Sequence, residues 1–109
     1  MLELSPKQVA ILERFAANGF TIVAFPMYSS AAGIKKGNYA ALLTPGPNGN
    51  LVLLGEPHYL IEGNLAVRVR RDSKDWFVWK TMQIEATVQR AQELAQFRSE
   101  LELLLCGGV

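Results

Sequence analysis

The chain has 109 residues, half of them apolar, and a formal net charge of +1. That length and apolar share support one packed domain over residues 1–109 and argue against intrinsic disorder, while the near-neutral total excludes the strongly basic footprint of a dedicated nucleic-acid binder. One cysteine, Cys106, and one histidine, His58, leave no intrachain disulfide and no donor set for structural zinc, so neither a metal nor a cofactor is expected.

The charge is uneven along the chain. Residues 35–80 hold seven basic and four acidic side chains, whereas residues 81–109 hold two basic and four acidic. A basic middle beside an acidic end favours self-association as readily as anion binding. No run approaches the ~18 apolar residues of a membrane span, and the opening Met1-Leu2-Glu3-Leu4-Ser5 lacks a basic, then apolar, leader pattern. These features predict a cytoplasmic protein with no membrane contact.

Ser5-Pro6-Lys7-Gln8 predicts a helix start, with Ser5 as cap, Pro6 in the first turn and Gln8 closing a capping box. Val9, Leu12, Phe15 and Ala16 give its apolar stripe, and Asn18-Gly19 ends it. Phe20 to Phe25 predicts a short covered strand that Pro26 stops. Residues 26–38 lack periodicity and exceed the usual connection of ~4–6 residues, so they are expected as a loop, with a helical turn near Ser29 to Ile34 as the alternative. Lys35 and Lys36, between Gly33 and Gly37, make this segment a candidate anion cradle, although the spacing is not that of a P-loop.

Tyr39 to Thr44 and Leu51 to Leu54 predict two strands joined by the turn-forming run Pro45 to Asn50. Two hairpins follow: Tyr59 to Ile61 against Leu65 to Arg71, then Leu65 to Arg71 against Asp75 to Lys80. Keeping Glu62 and His58 off the core face favours a three-residue loop in the first, Glu62-Gly63-Asn64, over a two-residue Gly63-Asn64 loop. Keeping arginines from facing Phe77 and Trp79 favours a three-residue loop in the second, Asp72-Ser73-Lys74. That register puts Leu65, Val67, Val69, Phe77 and Trp79 in the core, with Tyr59 and Ile61. It puts His58, Leu60, Arg68, Arg70, Trp76 and Val78 outside, with Arg70 over Trp76 as a cation–π pair. Thr87 predicts the cap of a last helix, with Glu85 as an alternative start, and an apolar stripe of Val88, Ala91, Leu94, Phe97 (or Ala95), Leu101 and Leu104 or Leu105. Cys106 to Val109 is expected to fray.

The expected fold class is therefore α+β: an antiparallel sheet of five to six strands, flanked in sequence by an N-terminal helix and a longer C-terminal helix. No cluster has the composition of an active site, and no motif assigns a family. The candidate binding surface is Arg68, Arg70, Trp76 and His58, with Lys35 and Lys36 beside it. The first expectation is a non-catalytic module that contacts another protein or its own copy, with the C-terminal stripe as a dimer seam. The alternative is weak single-stranded nucleic-acid binding on the arginine and tryptophan face. A third is a small-ligand or enzymatic domain using residues 26–38 and His58.

Overall fold

The fold comes from a computed structural model that describes residues 4–106. Helix α1 spans Pro6–Ala17 and strand β1 Thr21–Val23; a single 3-10 turn at Pro26–Tyr28 precedes β2, Ala32–Lys36. Strand β3 (Tyr39–Pro45) turns through Pro47–Gly49 into the long β4 (Leu51–Ile61). Then come β5 (Asn64–Leu65), β6 (Val67–Arg71), β7 (Lys74–Trp79), β8 (Met82–Glu85) and helix α2 (Val88–Leu105). The architecture is α+β as expected. Its strands form two antiparallel sheets, β1-β2-β3-β4-β5 and β6-β7-β8, rather than one. The fraying expected at the C-terminus falls mostly on residues 107–109, outside the described residues.

Local chemistry sets the ends of α1. The Ser5 side chain accepts from the Gln8 backbone N–H, and the Gln8 side chain accepts from the Ser5 N–H. Gln8 also donates to the Asn50 carbonyl, which pins the helix start to the turn before β4. The buried stripe is Gln8, Ile11, Leu12 and Phe15, so the expected Val9 and Ala16 face out. A buried glutamine is tolerated because its polar atoms are bonded.

Both helices cover one face of the five-stranded sheet. Ile34, Ala41, Leu43 and Leu51 from the strands meet Ile11, Leu12, Phe15, Phe20, Phe97, Leu101 and Leu104 in one core. Phe97, Leu101 and Leu104 are thus used inside the chain, so the seam on which helix pairing with a second copy rested is occupied. On the reverse face Phe25 lies across Gly33, where an added Cβ would meet its ring at 2.6 Å. This close approach explains a glycine in mid-strand. The segment expected as a loop therefore contains β2, and Lys36 and Tyr39 flank a tight Gly37-Asn38 turn.

The second core is smaller: Tyr59, Ile61, Ala66 and Phe77, with Trp79, Ile84 and Leu94 packed against it. Tyr59 and Phe77 stack with centroids 4.7 Å apart, joining the two sheets. Leu60, expected outside, is also buried.

A cleft between the last helix and the second sheet

Both hairpin registers differ from expectation by one residue. Leu60 pairs with Leu65 and Ile61 with Asn64, leaving a two-residue Glu62-Gly63 loop. Val67 pairs with Val78, Arg68 with Phe77 and Val69 with Trp76, leaving a two-residue Asp72-Ser73 loop. All four loop residues have positive φ, the backbone twist that matches right-twisted flanking strands. The turn geometry outweighs the penalty of placing arginines on the buried side, because only Ala66 and Phe77 on that side are deeply buried. Val67 is 54% exposed instead of buried. Trp79 is half-buried, and Trp76 lies with Val67 and Val69 on the opposite face.

Arg68 and Arg70 therefore share a face with Phe77 and Asp75, not with Trp76. Asp75 accepts from both, from Arg68 at 2.8 Å and from Arg70 at 3.5 Å. The expected Arg70–Trp76 pair does not form, and the arginine and tryptophan platform is split across the sheet. Lys36 is elsewhere: its ammonium bonds Glu100 at 3.0 Å and lies 4.9 Å from the Phe20 ring centroid. Lys35 stands in β2 opposite Ala40, in the other sheet from the arginines.

Strand β4 creates the opening beside the hairpin. Between the pairs Leu42↔Leu54 and Ala40↔His58, three β4 residues, Gly55-Glu56-Pro57, face one residue of β3. Gly55 has φ +70°, which allows the bulge, and Pro57 has no N–H to continue a ladder. The Ala66 N–H still reaches the Tyr59 carbonyl at 2.9 Å, and beyond this point β4 and β6 part. His58 secures the fork: its Nδ1 lies 2.9 Å from the Ala66 carbonyl. A carbonyl only accepts, so Nδ1 carries the proton and a neutral ring keeps Nε2 as an acceptor.

The fork opens into a cleft of about 530 Å³ between β4, the β6–β7 hairpin and α2. Tyr59, Ala66, Phe77 and Leu94 give it apolar walls, and Ala91 and Ala95 leave it unfilled on the helix side. His58, Glu56, Arg68 and Arg98 stand around it. Arg98 bonds both Glu56 and Glu102, and these carboxylates, Glu102 first, hold its guanidinium above the ordinary arginine value. Among the expected site residues, His58 and Arg68 meet at this cleft. Arg70 lies further along β6, and Trp76, Lys35 and Lys36 do not take part.

Nearby, the Tyr39 hydroxyl donates to Glu93 Oε1 at 2.6 Å. Burial and then this carboxylate push the phenol well above its ordinary value. The bond fastens β3 to the first half of α2, beside the cleft.

Glu56, Ala91, Ala95 and Arg98 were not foreseen as site residues. The interruption Gly55-Glu56-Pro57 and the small residues Ala91 and Ala95 in a helical stripe are the sequence signals that mark them. Among the described residues, no group of three or more His, Cys, Asp or Glu side chains is placed to hold a metal ion. No described helix is long and apolar enough to cross a membrane. No family model, curated protein or solved structure matches the chain.

Proposed function

We propose that this chain is a non-catalytic protein-binding module whose cleft between α2 and the second sheet receives an apolar side chain of a partner protein. The observation that carries this reading is the cleft of about 530 Å³ with walls of Tyr59, Ala66, Phe77 and Leu94. Its charged neighbours are already paired within the chain, Arg68 with Asp75 and Arg98 with Glu56 and Glu102. Small-molecule sites rely on free, converging polar groups to fix a ligand's orientation, and here the charged side chains around the cleft are committed to one another. A protein partner needs no such set, because an apolar anchor in a desolvated pocket carries most of its affinity. The single, exposed thiol of Cys106 favours work in a reducing compartment such as the cytoplasm.

The test is selection of random displayed peptides on the immobilised chain, followed by NMR titration of an enriched peptide. The expected result is micromolar binding with amide shifts at Tyr59, Ala66, Phe77 and Leu94. Ala95→Trp, at an exposed helix position that lines the cleft, should weaken binding at least about tenfold. Enriched peptides that bind Ala95→Trp as well as the unaltered chain would overturn the reading.

A further inference from the structure

We infer that β6 accepts an added strand: an extended, acidic and apolar segment of the partner pairs with the free edge of β6 and sets one apolar side chain in the cleft. This rests on the reading of the cleft as a protein-binding site and says how the partner is held.

The backbone pairing exposes the edge. In a hairpin with a two-residue loop, the residues flanking the loop exchange both backbone hydrogen bonds, and such pairs recur at every second position. Arg71 and Lys74 flank the loop, so Val69↔Trp76 and Val67↔Val78 are the bonded pairs. The N–H and C=O groups of Arg68 and Arg70 then point away from β7. Ala66 confirms the direction, since it has the same parity and its N–H reaches Tyr59 of β4. After Ala66, β4 leaves through its bulge, and among the described residues no strand pairs with that side of β6. The edge therefore begins at the fork where the cleft opens. A strand laid along it continues the track that β4 abandons, and a side chain near Ala66 enters the cleft.

Charge chooses the occupant. Arg68, Arg70 and Arg71 lie on β6, and Asp75 alone is shared between Arg68 and Arg70 while Arg71 bonds the neutral Gln83. The strand keeps surplus positive charge. Pairing β6 with β6 of a second copy sets arginines against arginines, and like charges across a strand pair destabilise it. An acidic strand reverses that sign. Its residues beside Arg68 and Arg70 are carboxylates, and those beside Val67 and Val69 are apolar. This is strand addition, in which main-chain bonds supply affinity and alternate side chains supply choice.

The probe is the capped peptide Leu-Val-Glu-Val-Glu, with the reversed order as a second peptide because either strand direction is possible. Amide hydrogen exchange is read by NMR with and without peptide. One peptide should slow exchange at Arg68 and Arg70 several-fold, leave Val67 and Val69 unchanged, and shift the Tyr59 and Phe77 signals. Methylating the peptide nitrogens that face β6, or changing its glutamates to lysines, should abolish binding. Arg70→Glu, at a side chain 70% exposed, should weaken it about tenfold with the fold intact. Peptide binding that leaves Arg68 and Arg70 exchange unaltered and survives methylation overturns strand addition, while the cleft reading stands. Failure of both peptides also overturns it, and the library peptides with Ala95→Trp then judge the cleft separately. Protection at Arg68 and Arg70 that rises with protein concentration alone names a second copy as occupant and overturns the acidic partner.

Discussion

Helix α2 packs over both sheets, yet one is sealed and the other is open. Over the first sheet, α2 contributes Phe97, Leu101 and Leu104, and α1 adds Ile11, Leu12 and Phe15. Over the second, the same helix contributes Ala91, Leu94 and Ala95, and among the described residues no second helix lines the gap. β4 behaves in the same divided way, pairing with β3 on both sides of the bulge but with β5 only beyond Pro57. Cover by one helix is therefore decided turn by turn: large side chains close a sheet, and alanines leave room for a guest.

Core truncations should break the two halves differently. Phe15 and Phe77 are 0% and 1% exposed. Phe15→Ala should cost ~3–5 kcal/mol, a large share of a typical ~5–15 kcal/mol total, and lower protection everywhere. Phe77→Ala should cost about 3 kcal/mol, at the low end because its cavity joins an existing cleft. Its loss should speed amide exchange in β6, β7 and β8 while β2 and β3 keep their rates. Urea denaturation gives the costs and exchange gives the locality; equal loosening of both sheets after Phe77→Ala would remove the distinction.

The tryptophans sharpen the same contrast at smaller scale. Trp79 is half-buried against the second core, whereas Trp76 sits on the far face of the hairpin. Trp79→Ala should cost about 2 kcal/mol and Trp76→Ala about 1 kcal/mol or less. Reversed costs, read from urea midpoints, would mean that the hairpin faces the other way.

Much of the sealed half was legible in the sequence because its signals are local. Ser5, Gln8 and Thr87 mark helix starts with side chains that bond the first turn, and Gly46 to Asn50 make the turn between β3 and β4. The α2 stripe followed from spacing at Phe97, Leu101 and Leu104, whereas Val88, expected in it, is 76% exposed. β2 was hidden because Gly33, Lys35 and Lys36 leave Ile34 as its one strong apolar side chain, and the need for Gly33 beneath Phe25 is a long-range fact. The open half misled for a specific reason. Alternating valines and arginines look like an inside and an outside, but β6 mostly extends past the core, and Asp75 on the neighbouring strand neutralises much of the arginine face. Asp72 and Ser73 accept positive φ, so the two-residue loop forms without a glycine. Gly55 and Pro57 read as a break, whereas the strand passes through them as a bulge and makes the cleft.

Two further tests probe how α2 is fastened over each region. Lys36→Ala removes the bridge to Glu100 and the contact with Phe20 in the first half. Both groups are substantially exposed, so the loss should be about 1 kcal/mol and shrink in high salt. Tyr39 holds α2 beside the cleft. Its phenol ionises less readily folded than unfolded, so its stabilisation is complete below the ordinary tyrosine pKa of about 10 and declines as pH rises past it. Tyr39→Phe should flatten that alkaline decline in urea midpoint. An unchanged pH slope would show that the hydroxyl does not bind Glu93 as described.

The most direct measurement is native-state amide exchange along β6 in the free protein. An open edge beside the cleft predicts slow exchange at Val67 and Val69, which bond β7, and near-unprotected exchange at Arg68 and Arg70. Slow exchange at all four positions would mean that the edge is covered, which would contradict an open second sheet.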